Sequence, residues 1–311
     1  MLVSRMTVST APATVIASYE GRKPPAPDWF EDALAHKPTQ HSLDRDAGKI
    51  EYFSWGNAGA PGLFLLHGGG AHALWWAHIA PFFADNYHVV AMSMAGMGGS
   101  DWRPRYSIHE HAQDMKAVAQ AAGLMEAGRP IVCGHSFGGA PTATAAADPD
   151  AWVGCAIIMD SSLQMRHSPG NMERPQRERR FFGSLEEGLA RFRFLPPQSC
   201  ENHYIADMIA RGAIVELEPG RFSWCFDPNG FGNTDRLTSA EKARSPNCPL
   251  AMIYGDRSAI MDADALTHLR ETMPKGTPFV ALPDCGHHVM VDQPLALIAA
   301  MRGLMASQAF A

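Results

Sequence analysis

Short, wholly apolar runs separated by stretches of helical spacing constrain this chain more than any other feature. Residues 63–66, 89–92, 131–133, 156–159, 250–254 and 279–282 carry such runs, and helical spacing covers about 108–122, 140–147 and 295–305. A run that short with no polar alternate reads as a strand covered on both faces. Strands of that kind alternating with helices build a parallel sheet between two helix layers. Residues 50–55 alternate apolar and polar instead, which predicts a half-buried strand, with a turn over 56–62 before the first apolar run.

Two stretches break the rhythm. Residues 1–44 hold the cluster Pro24-Pro25-Ala26-Pro27 and no sustained period, so a loose N-terminal arm with one short helix near 28–35 is expected. Residues 163–240 hold a basic segment from Arg174 to Arg180 and a concentration of aromatics from Phe181 to Phe231, without a clear buried strand. This reads as a mainly helical insertion lying over the carboxyl edge of the sheet, where open α/β folds bind ligands. The core is then 45–162 together with 241–311.

Composition narrows the function classes. The 311 residues are 46% hydrophobic and carry a formal net charge of −6. A mildly acidic chain with no basic stripe is not expected to bind nucleic acid. No window approaches about 18 uninterrupted apolar residues, so no membrane span is expected. The six cysteines form no CxxC pair and are expected as free thiols in a reducing compartment. Residues 6–18 are interrupted by threonines, serines and Pro12 and do not read as a signal peptide, which leaves the cytoplasm as the expected location.

Three motifs carry chemistry. Gly134-His135-Ser136-Phe137-Gly138 falls between a strand and a helix. A serine there stands on a sharp turn, relieved by flanking glycines, with the Phe137 N–H of the helix N-terminus beside it. His67-Gly68-Gly69-Gly70 follows an earlier strand, and its consecutive glycines let backbone amides, that of Gly69 foremost, face a developing oxyanion. His67 itself reads as a structural hydrogen-bonder. Gly286-His287-His288 follows the last strand; His287 is the better-placed base for Ser136, since His288 points the other way on a tight turn. For the acid that orients the imidazole, Asp160 and Asp256 both end strands beside the site, and either could instead cap a helix. The other histidines are scattered with no HExxH-type ligand spacing, so neither a metal nor any other cofactor is expected.

Taken in this order, the three motifs resemble the α/β-hydrolase superfamily over about residues 45–305, with 163–240 as its cap. The resemblance implies Ser136 as nucleophile, His287 as base, and the Gly69 and Phe137 amides as oxyanion hole. This chain departs from the pattern at two positions. Members usually end the strand before the Gly96-Met97-Gly98-Gly99-Ser100 loop with an aspartate, where Ser93 stands here and leaves that structural hydrogen bond without its acceptor. Many members carry the acid three residues after the glycine that ends the later strand, which here is Ser258; others take it from the strand after the nucleophile, which fits Asp160.

Ser136 sets the chain apart from relatives of this fold that use an aspartate at the elbow, the haloalkane dehalogenases and epoxide hydrolases. Trp75 and Trp76 after the oxyanion loop, with the aromatic insertion, point to an apolar substrate pocket. The expected activity is hydrolysis of a carboxylic ester of a small to medium, largely apolar molecule through an acyl-enzyme. Alternatives implied by the resemblance are carbon–carbon cleavage of vinylogous diketones, lactone hydrolysis, cofactor-free oxygenation and a non-catalytic binding protein. The expected partner is the small-molecule ester, and the sequence is silent on oligomeric state.

Overall fold

The computed structural model describes residues 14–163, 177–230, 234–235 and 239–307. The readings made on residues 1–13, on Arg174 and on Phe231 lie outside the described residues.

An eight-stranded sheet forms the centre. Its strands in chain order are β1 (Thr39–Leu43), β2 (Ile50–Trp55), β3 (Gly62–Leu66), β4 (His88–Met92), β5 (Ile131–His135), β6 (Cys155–Met159), β7 (Leu250–Gly255) and β8 (Phe279–Leu282). They lie side by side as β1-β2-β4-β3-β5-β6-β7-β8. β1 and β2 run antiparallel at one edge, and every pairing from β4 to β8 is parallel. β3, β4 and β6 are buried along their whole length, and apart from His88 at the start of β4 they carry only apolar residues and Gly62.

Alternate side chains of these strands feed two cores on opposite faces. Leu63, Leu65, Val89 and Met159 join Trp76, Ile79, Leu297 and Met301 on one face. Phe64, Leu66, Met92 and Ile158 join Met115, Val118, Ala143 and Leu269 on the other. The covering helices are α1 (Asp28–Ala35), α2 (Ile108–Ala121), α3 (Gly139–Ala146), α4 (Leu185–Leu189), α5 (His203–Gly212), α6 (Ser239–Arg244), α7 (Ala263–Thr272), α8 (Val289–Asp292) and α9 (Pro294–Met305). Ser107 caps α2 by accepting from the Glu110 N–H, and Asp262 caps α7 by accepting from the Ala265 N–H. Small residues make α3 fully buried, so the helix that follows Ser136 packs close to the sheet.

Two expectations need correction. Part of the stretch read as a loose arm is edge strand β1, whose burial pattern is mostly exposed. An edge strand with little to bury needs no apolar alternation, so its sequence, TQHSL, gives no periodic signal. The inserted stretch is also less helical than expected. Phe181–Phe182, Arg221–Trp224 and Ile214–Glu218 form a three-stranded antiparallel sheet alongside α4 and α5. Its hairpin turns at Pro219-Gly220, with Gly220 at φ 75°, a glycine-requiring turn.

The inserted stretch is tied to the end of the sheet at several points. Tyr106 Oη–H donates to Asp227 Oδ2 at 2.7 Å, Asn202 Nδ2 donates to the Val291 carbonyl, and the His72 ring bonds the Ile209 carbonyl at 3.0 Å. Ile205, Ile209, Phe192 and Phe194 bury themselves in the same core as the sheet. No helix among the described residues is long and apolar enough to cross a membrane.

Candidate active site

β5 runs directly into a short turn, Ser136–Gly138, that continues as α3. Ser136 sits at φ 52°, a left-handed backbone conformation that residues with a side chain rarely adopt. The flanking glycines leave no room for anything larger. A Cβ on Gly134 would overlap Thr142 Oγ1 and the Gly138 carbonyl, and one on Gly138 would overlap the His67 carbonyl. The tight turn holds the Ser136 hydroxyl at the carboxyl end of the sheet, half-buried.

His287 comes from the loop after β8. Its Nε2 lies 2.8 Å from Ser136 Oγ, and its Nδ1 lies 2.7 Å from Asp160 Oδ1. A carboxylate can only accept, so Nδ1 carries the ring proton and the Nε2 lone pair receives the Ser136 O–H. Asp160 follows β6 at φ 44° and is fully buried. Its remaining acceptor sites are filled. The Gly255 N–H donates to Oδ2 at 2.8 Å, and Ser258 Oγ–H donates to Oδ1 at 2.6 Å. These donors offset the desolvation that a buried carboxylate would otherwise suffer.

Asp256 goes elsewhere. It is exposed and accepts the Cys285 N–H at 3.1 Å, a bond that pulls its carboxyl below the ordinary range. The structure therefore brings Asp160, and not Asp256, to His287.

The glycine loop after β3 passes against the same serine. A Cβ on Gly68 would come within 3.1 Å of Ser136 Cβ, and Gly69 follows it, half-buried. His67 holds this loop in place. Its Nε2 accepts the Met94 N–H at 3.0 Å, and its Nδ1 bonds the Gly68 carbonyl. Burial lowers its pKa to about 3, so the ring is neutral, as an accepting Nε2 requires.

The chain matches the model of the alpha/beta hydrolase family over residues 63–301. It belongs to the α/β hydrolases. It is 28% identical to the esterase Rv0045c of Mycobacterium tuberculosis over 286 residues, 88% of this chain and 92% of that protein. Among solved structures, that same esterase, described as subject to transition-metal inhibition, superposes with a TM-score of 0.70 at 21% identity, covering 94% of this chain and 98% of its own. The thioesterase domain from the curacin biosynthetic pathway gives 0.71 at 21% identity, covering 86% and 99%.

As an α/β hydrolase the chain has two unusual positions, and the structure shows how each is filled. Where an aspartate was expected, Ser93 Oγ–H donates to Glu51 Oε2 at 2.9 Å, and the same Glu51 oxygen accepts the Gly99 N–H at 2.8 Å. A glutamate from neighbouring β2 thus supplies the missing carboxylate, a substitution across strands that reading one motif at a time cannot reveal. At the second position, Ser258 becomes a donor to Asp160.

A carboxylate missed in the sequence lies behind His287. Asp292 accepts the Gly286 N–H at 2.7 Å and the Gln198 side-chain amide at 2.9 Å, while Gln198 Oε1 accepts the His288 N–H at 3.0 Å. Both neighbours of His287 are therefore pinned by one pair, half of it from the inserted stretch. Burial raises the Asp292 pKa to about 6.

Trp75 and Trp76 fare differently from each other. Trp76 is fully buried in the core and offers no surface to a substrate, a correction to its expected role. Trp75 is 7% exposed and meets Phe194 of the inserted stretch edge-on at 6.1 Å. In space, His135, His287 and His288 offer one ring nitrogen each within 4.8 Å of one another. They are distant or adjacent in sequence but lie in no ligand-spaced motif, so only the fold assembles them.

Proposed function

We propose that this protein is a serine hydrolase cleaving a carboxylic ester of a small to medium, largely apolar molecule through an acyl-enzyme. The observation that carries this reading is the unbroken hydrogen-bond chain from Ser136 Oγ through His287 to Asp160, with links of 2.8 and 2.7 Å. Similarity to an esterase over most of both chains supports the choice of bond.

In this mechanism Ser136 Oγ attacks the ester carbonyl as His287 Nε2 takes its proton. The Gly69 and Phe137 N–H groups hold the oxyanion, and Asp160 stabilises the imidazolium. His287 then gives the proton to the departing alcohol. Water, deprotonated by the same ring, attacks the acyl carbonyl and releases the acid and Ser136. Residues 163–240 act as the cap over this site on the core of 45–162 and 241–311, and Trp75 and Phe194 line its apolar side.

A chain-length series of nitrophenyl esters on the wild type and on Ser136→Ala tests this reading, with a ring-fission diketone beside it. Ester turnover that falls by about a million-fold in the variant, to the level the oxyanion hole alone supports, is the expected result. Turnover of the diketone without the esters would move the reaction to carbon–carbon cleavage.

A further inference from the structure

We propose that His135, His287 and His288 form an inhibitory site for a borderline transition-metal ion such as Zn²⁺ or Cu²⁺. One ring nitrogen from each lies within 4.8 Å of the others, and all three residues are buried. Tetrahedral coordination at about 2.0–2.1 Å per bond brings such nitrogens to about 3.3 Å apart, so binding requires the three rings to close in on the ion.

Two of the rings already have the outer hydrogen bonds that metal-binding histidines use. His287 Nδ1–H donates to the Asp160 carboxylate at 2.7 Å, which leaves the Nε2 lone pair facing Ser136 Oγ at 2.8 Å. His135 Nε2 sits 2.9 Å from the His287 carbonyl oxygen. A carbonyl only accepts, so Nε2 carries the proton and Nδ1 keeps its lone pair. That His135 Nδ1, and both ring nitrogens of His288, are buried with no hydrogen-bond partner among the described residues. Buried polar atoms left unpaired are rare and costly, and an ion is one of the few things that satisfies them. Imidazole nitrogens suit zinc and copper, whereas magnesium and calcium want oxygen.

The consequence for turnover follows from the shared ligand and rests on the proposed role of His287 as base. A metal on His287 Nε2 occupies the lone pair that receives the Ser136 proton. The step forms only dative bonds to neutral rings and displaces the Ser136 hydrogen bond. Binding itself does not depend on the ester chemistry, and the two are read separately.

Isothermal titration of the full chain with Zn²⁺ should show one site, with nitrophenyl ester turnover lost in parallel and restored by a chelator. His288→Phe should keep ester turnover within a few-fold while its Zn²⁺ affinity drops by about tenfold or more. Undiminished Zn²⁺ binding in His288→Phe, or no saturable binding to the wild type, would overturn the site. Should that variant fail to fold, imidazole NMR of the wild type decides. One equivalent of Zn²⁺ must move the ring signals of these three histidines, and unmoved signals refute the proposal. Stoichiometric binding without loss of turnover would leave the site standing and contradict the role given to His287.

Discussion

Ser258 Oγ lies 2.6 Å from Asp160 Oδ1 and donates to it. At the position where many α/β hydrolases carry the acid, this chain has a serine that donates to a carboxylate at the end of another strand. Ser258 also sits beside Gly255, whose N–H holds the other oxygen of the same carboxylate. Removing the hydroxyl leaves Asp160 buried with one donor fewer, a loss of about 1.5–3 kcal/mol for a hydrogen bond to a charged group. Ser258→Ala should therefore lower kcat about tenfold or more, with KM little changed. An unchanged kcat in steady-state kinetics would show that the bond does not help to position the acid.

The two aspartates should separate cleanly. Asp160→Asn removes the acceptor that fixes the His287 tautomer and should cut kcat by about 1,000- to 10,000-fold. Asp256→Asn alters an exposed carboxylate held by the Cys285 N–H, away from His287, and should stay within about threefold. Circular dichroism on both variants confirms that the difference is not one of folding; a reversed order would move the acid to the later strand.

The buried strands announce themselves because the stretches covered on both faces are short runs made up almost wholly of apolar residues. Ser136 and His287 are legible because an elbow and a loop after the last strand are local features. Asp160 and Asp256 both end strands next to the site, and only the backbone turn at Asp160, with φ 44°, aims one of them at the imidazole. Glu51 standing in for an aspartate near Ser93, and Gln198 reaching Asp292, join residues 42 and 94 positions apart. No local pattern encodes such pairs. β1 escaped notice because an exposed edge has no core to face.

Gln198 reaches the loop that carries His287. Its amide bonds both His288 N–H and Asp292, which in turn holds Gly286 N–H. Gln198→Ala should loosen the loop on either side of His287 and reduce kcat by about 3- to 10-fold, the worth of about one hydrogen bond. A change in KM alone would mean that Gln198 contacts substrate and does not position the loop.

The elbow glycines should prove far less tolerant than glycines elsewhere. Gly138→Ala drives a methyl into the His67 carbonyl, and overpacking against backbone costs about 3 kcal/mol or more. Gly303, inside α9, has nothing within 4 Å of a built Cβ, so Gly303→Ala should instead stabilise by about 0.5–1 kcal/mol. Urea unfolding of the two variants reads both signs, and equal effects would refute the steric argument.

Stability should fall on acidification from about pH 6.5. Burial holds His67 and His111 at pKa about 3 and His78 at about 4. In the unfolded chain these rings titrate near 6.5, so the unfolded state takes up protons first as pH falls. Their stabilisation is complete above about 6.5 and is lost on the way down to 4. Asp292 acts in the opposite sense: with its pKa raised to about 6, its ionisation costs stability as pH rises from 4 to 6. Three histidines outweigh one carboxyl, and His111→Phe should flatten the pH dependence of the urea midpoint. A midpoint that rises between pH 6.5 and 4 would contradict this.

The most direct test of the central claim is to treat the folded wild type with a fluorophosphonate and map the adduct by mass spectrometry while following ester turnover. A single phosphonyl group on Ser136, formed in step with the loss of turnover, is the result a serine hydrolase requires. Ester turnover that survives while Ser136 is fully labelled, or inactivation with the adduct on another residue, would contradict it.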